Sequence, residues 1–519
     1  MKMRNLILTS MLALALLSGC ATGVSASGST ASSVQAAGTQ GASAGEIEIQ
    51  FADSGVTASA RTGLSISGST LTIQEAGTYH VSGTSQDGSI LVQKGTTGVH
   101  LVLDGLSLSA QNTAPIVCAK GTEVTIEAAA GSQNTLADTK ANNEEVSPDA
   151  ENAVIKCTDG SQVTLCGAGT LNIQAKGKNG IKSGASTQED GDASLTVKKL
   201  TLNIQAPVND AINAEGTLNV ESGTLTVSAG DDAIHCDGTL NIGAENAQGP
   251  KIDITGCYEG LEGATVNIYS GDITIESTDD CINAANAELT GYSYQLNIFG
   301  GNITAYAENG DGFDSNGDLT ISGGTVSVWT ANTADNEPLD ADGTVTISGG
   351  TVLAWGGSSG MGLNLNAQQP CVIFGTEASG KPGQDFQGQR TGIMAASGND
   401  FTIQDSQGNA LLSGTARCGG SYVLYSSPEI QESESYILAS GDNSVTAQGQ
   451  TGTVSSGFGG MGRHGFFRQE DGQPPETDSG TPPDRADKQR PEDFDGARGQ
   501  KGNRAEPQSG NISQPGESA

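Results

Sequence analysis

Aromatic residues make up only 4% of this 519-residue chain, and histidine occurs 4 times. A compact core of several hundred residues normally needs more aromatic bulk, whereas a solenoid buries only a few inward Val, Ile and Leu per coil. Arginine is missing between Arg61 and Arg390, so a strong base in that long stretch has to be a lysine. With 24 basic residues against 59 acidic ones, the formal net charge is −35. That excludes nucleic acid as a partner, because it calls for a basic face, and makes a cation the natural counterpart. No CxxC pair and no Cys/His cluster at zinc spacing is present. Eight cysteines lie beyond the leader: Cys118, Cys157, Cys166, Cys236, Cys257, Cys281, Cys371 and Cys418. Export would permit disulfides, but a chain of this length does not need them, and most are expected to be small buried hydrophobes.

What the chain has in abundance is glycine, 74 residues of it, and a repeat. The stretch AENGDGFDSNGDLTISGGTVSVW, residues 307–329, alternates Asp311, Asp314, Asn316 and Asp318 with glycine as a calcium loop would. An EF-hand starting at Asp314 fails, because Leu319 stands where glycine must be and Thr325 where glutamate must be. The flanks alternate apolar and polar at period 2, so they are strands. Relatives of the stretch recur: NDAINAEGTLNVESGTLTVSAG, DDAIHCDGTLNIGAENAQGPKIDITG, YEGLEGATVNIYSGDITIEST and NEPLDADGTVTISGGTVLAWGG. Their acidic anchors, Asp210, Asp232, Glu259, Asp280, Asp311 and Glu337, are spaced by 21 to 31 residues, as solenoid repeats are. An all-β parallel β-helix is expected.

The ends differ from the middle. Lys2 and Arg4 precede the apolar run LILTSMLALALL, and LSGC closes it at Cys20. This resembles a bacterial lipobox, with cleavage before Cys20 and lipidation of its thiol; an ordinary secretory signal is the alternative. The run is too short for a stable spanning helix. The expected organisation is a lipoprotein signal peptide at 1–19, a flexible tether at 20–45, and irregular first coils forming an N-terminal cap at 46–150. Regular coils then occupy 151–357, a β-rich C-terminal cap 358–450, and a disordered tail 458–519.

In a parallel β-helix, equivalent positions stack at about 4.8 Å. Aligning on Ile212, Ile234, Leu261, Ile282, Phe313 and Leu339 places the six acidic anchors in one column. A second column, one step past the aligned residue, holds Asn213, His235, Glu262, Asn283, Asp314 and Asp340. Two unit charges at that spacing repel by about 3.5 kcal/mol at an effective dielectric near 20. Oxygen-only sites of this kind suit Ca²⁺, and the candidate ligands are Asp210, Asp232, Glu259, Glu262, Asp280, Asp311, Asp314, Glu337 and Asp340. The alternative is that Asp and Asn sit in these turns for local hydrogen bonding, which leaves Glu259 and Glu337 unexplained. A further alignment puts Tyr306, Trp329 and Trp355 in one outward column about 10 Å long. It is either a strip for stacking sugar rings or a surface covered by the C-terminal cap.

KNGIKSG, NDAINAEGTLNV, GDDAIHCDGTLNI and GDGFDSNGDLTISGGTVSVW resemble the bacterial carbohydrate-binding β-helix family whose founding member binds cellulose and pectic polymers. The resemblance spans about residues 46 to 450. It implies a right-handed parallel β-helix of pectate-lyase type, bound calcium held by the acidic columns, extracellular display and polysaccharide binding. The chain departs from it at Asn213, His235 and Asn283, where the second column lacks a carboxylate. Three functions follow for comparison. One is a non-catalytic, calcium-stabilised polysaccharide-binding lipoprotein of the cell surface, anchored in the membrane through Cys20. The second is a calcium-dependent pectate lyase with Lys182 as base, since β-elimination needs calcium and a Lys or Arg. The third is an adhesin or spacer without sugar specificity.

Overall fold

A computed structural model describes residues 46–286, 289, 291–331, 336–357, 364–375 and 395–455. The signal segment, Cys20, the tether and the tail expected from residue 458 lie outside these. Every regular element among the described residues is a β-strand. The cause is local: segments such as Asp272–Ser277 (DITIES) and Gln295–Ile298 (QLNI) alternate buried apolar and solvated polar side chains. That is the signature of a strand with one face on a core.

The strands associate in three ladders of parallel pairs, each strand bonding to its equivalent one repeat later. The first ladder runs from Thr70–Ile73 through Ile116–Cys118, Asn179–Ser183 and Ile212–Ala214 to Phe313–Ser315. A second passes through Thr217–Val220 and Gln295–Ile298 to Val345–Ile347 and Asn364–Phe374. The third runs from Gln133–Ala137 through Gly223–Ala229 and Asn302–Ala307 to Thr351–Gly356. Together 34 strands form one continuous sheet.

Inward Ile, Leu and Val of all three ladders make one apolar core that follows the repeats from Ile49 to Leu424. Full burial of each contributes about 1.5–3 kcal/mol. The Gly-Gly corners are dictated by stacking. Gly301, Gly324 and Gly350 all have positive φ, and a Cβ on Gly324 would lie 2.5 Å from the Gly301 carbonyl oxygen.

The ends are built differently. Ile47–Ala52 pairs antiparallel with Gly55–Ala58, and Leu64–Ser67 with Thr70–Ile73. At the other end Tyr422–Ser426 lies antiparallel on both Thr351–Gly356 and Asn364–Phe374. Four antiparallel strands, Ala410–Thr415, Asp400–Asp405, Ser435–Ser440 and Asn443–Gln448, form a second small sheet. All eight described cysteines are free thiols, and all but Cys166 are buried.

Candidate functional site

The acidic columns are assembled by the first ladder. Its register pairs Ile212, Ile234, Leu261, Ile282 and Phe313 in succession, with a bridge from Phe313 to Leu339. Asn213, His235, Glu262, Asn283 and Asp314 therefore stand in line, and Asp340 follows Leu339. The anchor column is threaded by backbone bonds two residues earlier: Ala211 N–H donates to the Asp232 carbonyl (3.0 Å), and Ala233 to Glu259 (2.9 Å). Gly260 to Asp280 (3.0 Å), Cys281 to Asp311 (3.1 Å) and Gly312 to Glu337 (2.9 Å) continue it.

Part of this column is plain turn chemistry. Asp210 Oδ1 accepts the Asp232 N–H at 3.2 Å, Asp280 Oδ1 the Asp311 N–H at 2.7 Å, and Asp311 Oδ1 the Glu337 N–H at 2.5 Å. Each of these aspartates spends one oxygen on the next repeat's backbone, and Asp210 also accepts from the Asn213 amide with its other one. Burial pushes the carboxyls up, and neighbouring carboxylates add to it. Asp210 rises to about 6, Asp311 to about 7, Asp280 to about 8 and Glu259 to about 9.

Among the described residues, two places gather three ligand-type side chains with their atoms within 4.8 Å of one another: Asp232, His235 and Glu262, and Asp311, Asp314 and Asp340. In the first, His235 Nδ1 meets Glu262 Oε2 in a very short contact and Asp232 Oδ2 at 3.2 Å. Its Nε2 meets Asp237 Oδ1 at 2.8 Å. Burial pulls this imidazole down, but hydrogen bonds to Asp232, Asp237 and Glu262 outweigh that and hold it protonated far above its ordinary range. In the second, no Lys, Arg or His among the described residues forms an ion pair with any of the three carboxylates. Burial and the Asp340 charge push Asp314 up to about 6.

The three non-carboxylate positions of the second column fare differently. Asn213 Nδ2 donates to Asp210 Oδ2 at 2.7 Å, so that pair is satisfied. His235 supplies a counter-charge from within. Asn283 Nδ2 donates to Glu259 Oε2 at 3.2 Å, but its Oδ1 is buried with no hydrogen-bond partner. A buried, unpaired carbonyl oxygen within a column of carboxyl groups fits a hard cation. Upstream, the same column changes sign: Val117, Lys156, Lys182 and Asn213 are successive partners. Lys182 Nζ lies 3.4 Å from Glu215 Oε1. It stands five repeats before Asp314, about 24 Å along the column.

The aromatic column has the expected register, Tyr306 beside Trp329 beside Trp355. It is not a surface. Trp355 is 0% exposed and Trp329 5%. Their rings are 5.2 Å apart, and Phe401 packs 4.8 Å from Trp355 and 6.0 Å from Trp329. Val423, Tyr425 and Leu438 complete a second apolar cluster around them. The half-buried Tyr306 carries the Arg417 guanidinium 4.8 Å from its ring centre. Flat apolar rings on the last repeats seat the C-terminal strands, so a sugar strip at Tyr306, Trp329 and Trp355 is corrected to an internal joint.

An outward column on the second ladder escaped the sequence reading. Asn241 Nδ2 donates to Asn219 Oδ1, Asn267 to Asn241 and Asn297 to Asn267, each at 3.0 Å. The signal was present in the sequence as LNV, LNI, VNI and LNI on successive repeats. Two residues on, Tyr269 and Phe299 stack with centroids 5.0 Å apart and planes 13° from parallel. Beside them opens a groove of about 760 Å³, lined by Asn219, Asn241, Glu221, Lys199, Gln248 and Tyr269 among others.

Residues 67–360, more than half of the chain, match the family described as carbohydrate-binding domain-containing protein. A curated relative of that description from Acetivibrio thermocellus is 35% identical over 162 residues, 30% of this chain and 56% of the relative. The chain thus spans about half the length of the curated relative it matches. A solved structure of the polysaccharide lyase-like protein from C. thermocellum, a gadolinium derivative, aligns with 62% of this chain and 96% of its own at 24% identity and a TM-score of 0.31. By its match from residue 67 to residue 360, this chain belongs to the carbohydrate-binding domain-containing protein family.

Proposed function

We propose that the chain is a non-catalytic polysaccharide-binding lipoprotein of the bacterial cell surface, wound as a right-handed parallel β-helix and stabilised by calcium. Membership of the carbohydrate-binding family over residues 67–360 is the observation that carries the binding role. The three ladders of parallel pairs support the winding, with the right hand that parallel crossovers take. Asp311, Asp314 and Asp340 would hold the cation, with Asn283 Oδ1 as a further oxygen one repeat away. Bound there, it would neutralise carboxylates whose ionisation burial and mutual repulsion oppose. Cys20 would carry the lipid, and plant-type glycans such as cellulose or pectin are the expected ligands.

Binding without turnover is favoured over a lyase by Lys182. Its ammonium is engaged by Glu215 and stands far along the column from the acidic triad. Elimination needs base and calcium on one galacturonate. The test is retention on cellulose and on polygalacturonate, with calcium or with EDTA, while the ultraviolet absorbance of unsaturated uronides is followed. Retention with flat absorbance is expected. Absorbance growth abolished by Lys182→Ala would replace the binder with a lyase, and retention on neither polymer would leave a spacer. Release of the protein from membranes by Cys20→Ser tests the anchor.

A further inference from the structure

We propose that the groove beside Tyr269 is a subsite for a neutral polysaccharide, one pyranose ring stacking on Tyr269 while the asparagine column reads its hydroxyls. The inference rests on the polysaccharide-binding reading and names where on the molecule it happens.

The aromatic platform has one side taken and one side open. Phe299 covers one face of Tyr269 from the following repeat. The equivalent residue on the preceding repeat is Gly243, which has no side chain and φ of 72°, and the groove opens there. The segment that forms its outer rim is pinned: Ala244 N–H donates to Ser270 Oγ at 3.2 Å, and Ser270 Oγ donates to the Ala244 carbonyl at 3.0 Å. The platform is therefore preformed rather than assembled on binding.

The floor is a row of amides. Asn219 and Asn241 face the groove, and Asn241 spends one N–H and one lone pair on its neighbours in the row, leaving a donor and an acceptor. Successive amides repeat at about 4.8 Å, the strand spacing, close to the length of one sugar unit along an extended chain. Sugar hydroxyls both donate and accept, so such a row can follow a polymer without changing its chemistry. Pockets of this composition, a flat apolar wall with a few placed polar groups, are what small polar ligands use.

Charge selects the class. The groove carries Glu221, Glu245 and Lys199, with Glu221 and Glu245 exposed, on a chain of net charge −35. It also lies on the second ladder, whereas the acidic triads lie on the first. An acidic polymer is repelled here and a neutral one is not.

The experiment uses the full chain with cellohexaose in titration calorimetry and insoluble cellulose in pull-down, beside polygalacturonate with calcium. Tyr269→Ala should weaken both cellulose probes at least about tenfold, as loss of a stacking platform does, while Tyr269→Phe stays within about threefold. Calcium-dependent polygalacturonate binding should not move. On the unmutated chain, cellohexaose should protect the amides of residues 243–249 from hydrogen exchange, a readout that does not depend on the variant folding. Undiminished cellulose binding by Tyr269→Ala, or protection elsewhere only, overturns the subsite and leaves the family reading intact. Binding of polygalacturonate alone overturns the neutral occupant. Binding of no glycan at all overturns the functional reading with it.

Discussion

The two triads of the acidic column are built on one backbone plan and solve one problem in opposite ways. Asp232, His235 and Glu262 surround a positive charge that the chain supplies itself, with Asp237 as a further carboxylate on the ring. Asp311, Asp314 and Asp340 surround nothing positive among the described residues, and Asn283 leaves a buried oxygen unpaired one repeat before them. The lesson is that a column position is not a ligand position. Where the repeat places an imidazole, the column is complete; where it places a carboxylate, the column asks for a cation.

The largest expected effect comes from removing the internal charge. His235→Ala strands the carboxylates of Asp232 and Glu262, and losing one partner of a buried ion pair costs about 3–5 kcal/mol. The measurement is the melting and denaturant midpoint in chelator. The variant should then regain part of the loss in calcium, with one more ion bound than the unmutated chain, because its first triad has become like its second. A loss below about 1 kcal/mol, or no gain in bound calcium, would erase the distinction between the triads.

Next is the external charge. The proposed calcium, at a hundredfold excess over its dissociation constant and bound only to the folded chain, should stabilise by about 2.7 kcal/mol. The comparison makes this local. In EDTA, hydrogen exchange should quicken across the repeats of Asp311 to Asp340 and change little around Asp232 to Glu262. Equal quickening in both regions would break the comparison, and none in either would remove calcium from the account.

Much of this was legible in the sequence, and the reason is geometric. Parallel ladders put equivalent residues side by side, so aligning Ile212, Ile234, Leu261, Ile282, Phe313 and Leu339 by eye reproduced the register that the strands adopt. What spacing cannot supply is chemistry across the column. His235 reads as a gap in a carboxylate row until its two nitrogens are seen facing three carboxylates. Nor can a repeat announce what leaves the repeat. Trp329 and Trp355 stand in an outward column, yet Phe401 and Leu438, which cover them, belong to non-repeating strands. The asparagine column was equally regular, but polar outward residues attract no notice until their amides are seen joined.

A third and smaller effect separates the triads by pH. Asp311 and Asp314 are raised to about 7 and about 6, above the roughly 3.9 of an unfolded aspartate. Raised carboxyls contribute stability that is complete below pH about 4 and lost as pH rises to about 7. In chelator, the second triad should therefore loosen across that window. His235 is also raised, so its contribution is complete below pH about 6.5 and declines only above it. Asp232, itself held up by burial, adds a weaker acid-side change to the first triad. Calcium at the proposed site should reverse the sign for the second triad, because binding would displace protons and tighten as they leave. Exchange rates at pH 5 and pH 8, with and without calcium, give the four numbers needed. A second triad indifferent to pH in chelator would mean that its carboxylates find solvent enough to stay charged.

The smallest effect is the sharpest, because one substitution should be nearly neutral without the metal and damaging with it. Asn283→Leu removes a donor to Glu259 and a buried acceptor that has no partner. Losing the first costs about 1 kcal/mol, and losing an unpaired buried oxygen returns a similar amount, so in chelator the variant should be nearly as stable as the unmutated chain. In calcium the missing oxygen is a missing ligand, and affinity should fall several-fold. Asn213→Leu is the control: its amide donates to Asp210 Oδ2, so its removal should cost about 1 kcal/mol in chelator and in calcium alike. If both substitutions behave as Asn213→Leu does, the unpaired oxygen of Asn283 serves no cation, and the acidic triad alone holds whatever calcium the column binds.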